Sequence, residues 1–468
     1  MSEAKKHREV TLASSVAIFV AILAIIILGK LVFNFDTAIL LMLIGVFTTA
    51  VYCFGYGFGW GEMFDGGIVP MVARASGAIM ILLTVGPMIA VWMASGTIPY
   101  IIYIGLKLLT PKTFLIATFI VTCISSTLTG TSWGSAATFG VAFMGIAVGL
   151  GVSPAVTAGA VIAGSYFGDK LSPISDTTVL AAATAEVDVI DHVRSMLWTT
   201  TPAFIISIIL YGLIGAKASG TMEMDQVNEI VNALCATFKF SPLVLFPPIL
   251  LLVLAYRGKP TLPTLWAALL SAVPFAMWQG NSLSDVMKIM AKGPSIATGV
   301  ESIDKLLCRG GLSFMAGSIA VVFFAYLFAG QLEYTGTFRC ISEALKEKFI
   351  KGSKGKLVLS MSLTGIFTGL GTGNSYLSEI VPGTMYKDLC DDMNVSRRVL
   401  SRTLEDSGTV VVPLIPWSAA GIYMSTVLGV SVFEYVPWAF LCYIGFITAW
   451  IYGFTGIAIW PSDTKKEA

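Results

Sequence analysis

The stretch Ala163-Gly-Ser-Tyr-Phe-Gly-Asp-Lys-Leu-Ser-Pro-Ile-Ser-Asp-Thr-Thr178 decides how this chain folds. Its small residues predict a closely packed helix up to Gly168, and Pro173 interrupts that helix. The apolar run Val179–Ala183 predicts that a helix then resumes. Two carboxylates, Asp169 and Asp176, and several hydroxyls occupy the interruption. We therefore predict a broken helix with a polar centre at about residues 168–177.

The rest of the chain places this break inside a membrane. Of its 468 residues, 56% are hydrophobic and only 12% are charged, whereas soluble proteins carry roughly 25% charged residues. About a dozen long apolar runs lack the two-residue alternation of barrel strands. The composition predicts an all-α polytopic membrane protein in a lipid bilayer. It offers no basic tract for nucleic acid and no clustered cysteines or histidines for zinc or disulfides.

The chain also contains an internal repeat. At an offset of 243 residues, Thr129-Gly130 aligns with Thr372-Gly373 and Pro173 with Pro416, without a gap. At an offset of 240, Gly96-Thr97 aligns with Gly336-Thr337. Matches at glycine, proline, serine and threonine in two collinear registers predict a duplicated unit.

Positive charge predicts that the two copies have opposite orientations. Loop 346–356 carries five lysines, whereas its counterpart carries only Lys107 and Lys112. Because positive loops favour the cytoplasm, equivalent loops are expected on opposite sides, as in inverted-repeat transporters. Inversion needs an odd number of crossings, but each half has six apolar runs. One run per half must therefore lie outside the repeat or fail to cross.

We divide the chain into two halves on this basis. Residues 1–216 form the N-terminal half, 217–240 an inter-repeat loop, and 241–468 the C-terminal half. The first half is expected to contain a re-entrant hairpin at about 129–150 and the break at about 168–177. The second is expected to contain a hairpin at about 371–392 and a break at about 405–417.

The first break is the predicted cation site. A charge at the bilayer centre is costly, so an aspartate there is a functional candidate. Na+ prefers oxygen ligands, and we predict that it binds Asp169, Ser172, Ser175 and Asp176. Burial disfavours a charged carboxylate, so one site can exchange H+ for Na+. Two alternatives remain: Asp176 caps the next helix in an ordinary polar loop, or Asp169 pairs with Lys170.

Three further segments accompany this site. Glu405 and Asp406 precede an apolar stretch and form either a second proton or cation site, or an interfacial acidic cap balanced by Arg402. The glycine-rich and hydroxyl-rich segments 127–135 and 368–376 are either hairpin tips or helix-packing surfaces. As tips they would bind ion or substrate through Thr131, Ser132, Asn374 and Ser375.

Three other polar residues are interpreted without a role in the site. Glu333 and Glu379 adjoin apolar runs and are interpreted as boundary residues. His192 lies in the polar segment Asp188–Arg194 and is interpreted as a solvated loop histidine.

Four ordered motifs carry a resemblance to a known family. They are Ser95-Gly-Thr-Ile-Pro99, Gly130-Thr-Ser-Trp-Gly134, Gly168-Asp-Lys-Leu-Ser-Pro-Ile-Ser-Asp-Thr-Thr178 and Arg402-Thr-Leu-Glu-Asp-Ser-Gly-Thr409. Across about residues 35–460 the chain resembles the NhaC family of bacterial sodium/proton antiporters. Val179 stands where asparagine is frequent in that family.

The resemblance implies a fold and a function. It implies an ion-transporter-superfamily-like fold with two inverted repeats, an elevator-type moving domain and often a homodimer. It also implies exchange of Na+ for H+ across the bacterial plasma membrane. An alternative within the family is exchange of small organic anions such as malate and lactate, or of amino acids, coupled to the same ions.

An enzyme is not expected, because there is no HExxH motif and no nucleophile with an obvious base. No cofactor is expected, and the absence of an ATP-binding motif predicts secondary transport. The basic N-terminus, with Lys5, Lys6 and Arg8, predicts a cytoplasmic start before the first span.

Overall fold

The computed structural model describes residues 7–217 and 224–462. Lys5, Lys6 and residues 218–223 of the expected inter-repeat loop lie outside the described residues. Residues 7–217 form eleven α-helices: α1 (Leu12–Ile27), α2 (Thr37–Ala50), α3 (Trp60–Met63), α4 (Val69–Ala94), α5 (Thr97–Leu108), α6 (Pro111–Thr129), α7 (Ser132–Ser135), α8 (Val141–Leu150), α9 (Pro154–Leu171), α10 (Asp176–Thr184) and α11 (Val189–Lys217).

Residues 224–462 continue in the same all-helical manner. A helix, α12, occupies most of the described part of the segment expected to be a loop. The helices of this half are α12 (Met224–Thr237), α13 (Phe246–Tyr256), α14 (Thr261–Trp278), α15 (Leu283–Lys292), α16 (Glu301–Leu307), α17 (Ala316–Tyr334), α18 (Thr337–Ala344), α19 (Lys354–Thr372), α20 (Ser375–Asp392), α21 (Arg397–Leu404), α22 (Ala419–Leu428), α23 (Val432–Tyr435) and α24 (Phe440–Thr455).

The helices have the length and composition of a polytopic membrane protein. Within the described ranges, eight helical segments are long and apolar enough to cross a membrane, or up to eleven if each bent pair is one span. One bent pair joins Arg397–Leu414 to Ala419–Leu428 at 49°. The all-α membrane fold with broken helices is therefore confirmed.

The two halves contain the same succession of helices. Helices α19, α20, α21 and α22 each begin 243 residues after α6, α7, α9 and α10, respectively. Helices α6 and α19 both end at a glycine, Gly130 and Gly373, with a φ of 63°. This left-handed conformation favours glycine because a Cβ would be strained there.

The halves also make reciprocal contacts. Helix α2 packs against α17, where Gln331 Nε2 donates to Thr49 Oγ1 at 2.7 Å. Helix α14 packs against α4, where Trp266 Nε1 donates to Thr84 Oγ1 at 3.0 Å. One helix of each half thus packs against a helix of the other half.

Glycine lets α6 and α9 pack in close contact beside the first break. A Cβ on Gly164 would lie 2.5 Å from the carbonyl oxygen of Phe119, and one on Gly168 would lie 2.5 Å from the side chain of Ser126. Real side chains do not approach so closely, so only glycine fits at either position. This contact places Asp169, the next residue, against the turn that follows α6.

We expect Gly164→Ala to lower stability, because the added methyl group meets the backbone of α6. Overpacking of this kind costs about 1–3 kcal/mol. The apparent melting temperature in detergent measures the loss. Gly317→Ala in α17 is the matched control, since a Cβ there has no neighbour within 4 Å. Equal melting temperatures for the two variants would contradict the packing argument.

Candidate functional site

The first break is shorter than predicted and lies at residues 172–175. Helix α9 ends at Leu171 with Ser172 as its C-cap, and α10 begins at Asp176 with Ser175 as its N-cap. Asp169 therefore belongs to the last turn of α9, and Asp176 to the first turn of α10. Asp176 is not itself the capping residue, as one alternative had proposed.

Asp169 lies at the centre of a cup of hydroxyl groups. Its side chain is only 5% exposed. Ser132 Oγ donates to Oδ2 at 2.6 Å, and Ser175 Oγ donates to Oδ1 at 2.7 Å. Two hydroxyls and one carboxylate thus converge from α7, α9 and the break, which are the hard oxygen ligands that Na+ prefers.

The other two predicted sodium ligands differ from this pair. Asp176 is exposed, accepts a hydrogen bond from Tyr376 Oη, and lies close enough to Asp169 for their charges to interact. Ser172 is buried, but its hydroxyl has no hydrogen-bond partner among the described residues. The structure therefore brings Asp169, Ser175 and Asp176 together, whereas Ser172 joins them only through its carbonyl oxygen, which accepts a hydrogen bond from Ser175 N at 3.0 Å.

Asp169 and Asp176 open into a cleft of about 190 Å³. All four predicted hairpin-tip residues line it. Helix α17 contributes Tyr326, and α4 contributes Arg74, whose Nη1 donates to Glu333 at 2.8 Å. The tip residues are Thr131, Ser132, Asn374 and Ser375.

Four helices begin at this cleft. Their first turns lie at Ser132, Asp176, Ser375 and Ala419, all lining residues. The N-terminus of a helix carries a partial positive charge and unpaired N–H groups. One wall of the cleft thus holds the acidic cup, and the helix starts around it suit an anionic group.

The two halves exchange partners around the cleft. Tyr423 of α22 donates to the carbonyl oxygen of Trp133 at 2.7 Å, and their rings stack with centroids 4.2 Å apart. Reciprocally, Tyr376 at the start of α20 donates to Asp176 of α10. Trp133 and Tyr376 are equivalent positions of the repeat, so each tip is held by the broken helix of the other half.

The second break is built differently. A π-helical turn, Glu405–Thr409, continues α21, and all five of its residues are buried. Such turns are frequent at functional sites. Burial rules out the alternative in which Glu405 and Asp406 form an interfacial cap. Arg402, its expected partner at the surface, is itself fully buried.

Lys170 connects the two breaks. Its ammonium group forms an ion pair with Asp406, with exposures of 1% and 0%. Gly445 of α24 provides the space, since a Cβ there would lie 3.2 Å from Asp406 Oδ1. The alternative pairing of Lys170 with Asp169 is therefore wrong.

The buried charged residues of the described ranges are concentrated in this region. Four are acidic and two are basic, so the acids exceed the bases by two if all are ionised. Their mutual contacts and charge interactions join them into one group. The members are Asp169, Glu379, Glu405, Asp406, Lys170 and Arg402.

Two plainer interpretations of the sequence were wrong. Glu379 is fully buried, and its carboxylate accepts a hydrogen bond from Thr409 Oγ1. His192 is also fully buried, with Nδ1 2.9 Å from Ser401 Oγ. Glu379 lies one turn after the hairpin tip at Ser375, and this spacing is the signal that could have identified it.

The sequence did not predict the charged and tyrosine residues Lys170, Arg402, Glu379 and Tyr376 as members of the site, nor the cleft-lining Arg74, Tyr326 and Thr409. Val179, by contrast, does not line the cleft, and its side chain is 42% exposed. Its difference from the commoner asparagine therefore leaves the cup around Asp169 unchanged.

Comparison with known proteins is consistent with this geometry. The sequence profile of the Na+/H+ antiporter family matches residues 8–195 and 165–457. The chain is 38% identical to the Na(+)/H(+) antiporter NhaC of Alkalihalophilus pseudofirmus over 86% of each chain. It is 38% identical to the malate-2H(+)/Na(+)-lactate antiporter of Bacillus subtilis over 84% of each chain.

A third relative extends the range of cargoes in the group. The arginine/ornithine antiporter ArcD of Halobacterium salinarum is 36% identical over 90% of this chain and 87% of its own. The family profile spans all of the described helices, including both breaks. The chain therefore belongs to the Na+/H+ antiporter family.

Proposed function

We propose that this protein is a secondary antiporter that extrudes Na+ in exchange for H+ at the cup formed by Asp169, Ser132 and Ser175. The observation that carries the proposal is the excess of buried carboxylates over buried cations. Uncompensated charge in a low-dielectric interior is very unfavourable. The group is therefore stable only when protons or a metal cation neutralise it, and exchanging one for the other is antiport.

Asp169 is the exchanging group in this proposal. With a proton bound, its carboxyl is neutral and keeps its hydrogen bonds to the two serines. With Na+ bound, both hydroxyls can rotate so that their lone pairs face the ion. Asp176 and Tyr376 lie at the open side of the cup, where an ion enters from the cleft.

The Lys170–Asp406 pair has a different role. It neutralises one carboxylate permanently and joins α9 to the second break across the repeat. Asp406 Oδ2 accepts no hydrogen bond from the described residues, so this oxygen can still contribute to the field felt by a nearby cation. Glu405, next to Asp406, completes the acidic group.

A second candidate function is exchange of a small organic anion together with the ions. Four helix N-termini and Arg74 border the cleft, and such groups bind carboxylates. The names of two relatives, a malate/lactate antiporter and an arginine/ornithine antiporter, agree with a cleft that admits organic solutes. The acidic cup would then bind the coupling ion beside the substrate.

The proposed topology follows from treating α6 with α7–α8, and α19 with α20, as re-entrant hairpins. Each repeat then crosses the membrane five times, an odd number as inversion requires: α1, α2, α4, α9–α10 and α11 in the first, and α13, α14, α17, α21–α22 and α24 in the second. We propose this inverted arrangement in the bacterial inner membrane, with a cytoplasmic N-terminus, an elevator-type movement and a homodimer.

We expect Asp169→Asn to abolish exchange, because an amide can neither release a proton nor neutralise Na+. Reconstituted vesicles with an imposed Na+ gradient and an internal pH dye measure the flux. The rate should fall to that of protein-free vesicles. The exposed Asp285→Asn variant should retain full activity. Exchange by Asp169→Asn at the parent rate would contradict the assignment.

The serines provide a finer test of the cup. Ser132→Ala and Ser175→Ala each remove a hydroxyl from Asp169 and should raise the KM for Na+ by about tenfold or more, since a hydrogen bond to a charged group contributes about 1.5–3 kcal/mol. Ser172→Ala removes a buried hydroxyl from the same break without touching Asp169, and its KM should not change. A similar rise in all three variants would argue against the cup.

The ion pair predicts a pattern of stabilities. Asp406→Asn leaves Lys170 buried without its counterion and should cost about 3–5 kcal/mol. The double variant Lys170→Met/Asp406→Leu removes both charges and should recover most of the melting temperature, because apolar replacements of a buried pair are often neutral. If Asp406→Asn melts at the parent temperature, the pair is not important for stability.

Counterflow separates the two candidate functions. Vesicles loaded with labelled lactate should release it when malate and Na+ are added, if the cleft carries organic anions. A pure cation antiporter should release none under the same gradients. In the organic-anion case, Arg74→Gln should weaken lactate release more than it weakens Na+/H+ exchange.

A further inference from the structure

We propose that Glu379 and Glu405 form a proton-sharing carboxyl pair, a second ion site that releases its H+ when the cup around Asp169 binds Na+. This inference rests on the proposed antiport function and specifies where a second proton is carried. The pair lies behind the wall of the cleft rather than in it. Neither residue lines the cleft, but Thr409 and Thr177, which approach them, both do.

The two carboxyl groups come from different elements that meet inside the protein. Glu379 lies on α20 and Glu405 begins the π-helical turn after α21. Each is 0% exposed, and the strongest charge interaction of Glu379 is with Glu405. Gly408 allows this approach, because a Cβ there would lie 3.2 Å from Glu379 Cγ.

Three of the four carboxyl oxygens of the pair have no hydrogen-bond partner among the described residues. Glu379 Oε1 accepts from Thr409 Oγ1, whereas Glu379 Oε2 and both oxygens of Glu405 have no partner among the described residues. An ionised Glu405 would therefore be a buried anion next to a second acid, with only the nearby hydroxyls of Thr409 and Thr177 to stabilise it. Two carboxylates that share a dry site do not both ionise.

One proton satisfies both groups. If Glu405 is protonated, its O–H can donate to Glu379 Oε2, while Thr409 continues to donate to Oε1. The proton then occupies the pair rather than either residue. Other charged and titratable groups around the pair are Asp169 and Asp176 from the first break, Lys170 from α9, and Tyr376 on α20.

Occupation of the cup by Na+ would release this proton. The cation adds positive charge near the pair and stabilises its doubly ionised form. The proton leaves Glu405 as H+ and reaches the cleft past Thr409 or Thr177, and no other bond is formed or broken.

The experiment counts protons released per Na+ bound by the purified protein. A pH indicator in weakly buffered detergent solution reports H+, and equilibrium binding of radioactive Na+ reports occupancy. Glu405→Gln and Glu379→Gln should each release about one proton fewer than the parent while still binding Na+. The double variant should release no fewer than the single ones, because the lost proton was shared.

Controls separate this inference from the proposed function. Glu301→Gln replaces a carboxylate that is 83% exposed and should behave as the parent. If the parent itself releases no proton on binding Na+, the antiport proposal fails, and the pair fails with it. If the parent releases protons and both variants release equally many, the pair alone is overturned.

Two further outcomes also decide the question. Loss of Na+ binding in both variants would make the pair a sodium site and overturn the proposal. Elution from a size-exclusion column checks folding, and if Glu405→Gln does not fold, Glu379→Gln provides the same count.

Discussion

The burial of four acids and two bases in one region is the constraint on which the rest of the structure depends. In a low-dielectric interior such a charge is costly unless it has a counterion or a donor. Asp406 receives Lys170, Asp169 receives two serine hydroxyls, and Glu379 receives Thr409. These acids and their partners meet at the breaks in α9–α10 and α21–α22. In the proposed antiport, the excess negative charge that remains makes the region responsive to cations.

The fold could be predicted largely from local sequence because its main determinants are local. Apolar runs predict spans, and Pro173 and Gly130 predict a break and a turn whether or not the partner helices are known. The repeat offset of 243 also placed the second tip and the second break. The helix α12 was not predicted, since its amphipathic sequence in a polar segment lacks the length of a span. The packing of α2 on α17 and of α14 on α4 depends on tertiary structure, and the sequence did not predict it.

The site residues likewise divide into those that local sequence indicates and those that depend on tertiary contacts. Asp169, Ser175 and Asp176 are neighbours in sequence, and Ser132 belongs to a recognisable tip, so local reasoning found them. Lys170 and Arg402 were missed as members because each was interpreted only as the counterion of an acid nearby in sequence. Consecutive residues of a helix point in different directions, so Asp169 faces the tip of the first half and Lys170 faces Asp406 of the second. Ser172 stays a prediction, since its buried hydroxyl has no hydrogen-bond partner among the described residues despite its proximity to Asp169 in sequence.

The repeat reproduces the geometry of the site but not its chemistry. At the repeat offset, Val412 stands where Asp169 does, Pro413 where Lys170 does, and Ala136 where Glu379 does. The first half therefore supplies the hydroxyl cup with Asp169 and the lysine, and the second half supplies the other three acids and the arginine. Two identical half-sites would bind the same ion. Binding of one kind of cation at one half-site could then not displace a different cation from the other. Because the halves differ, one can be suited to Na+ through hydroxyl oxygens and the other to H+ through paired carboxyls. The fold thus provides two equivalent breaks, and divergence of their side chains makes an exchanger of unlike cations.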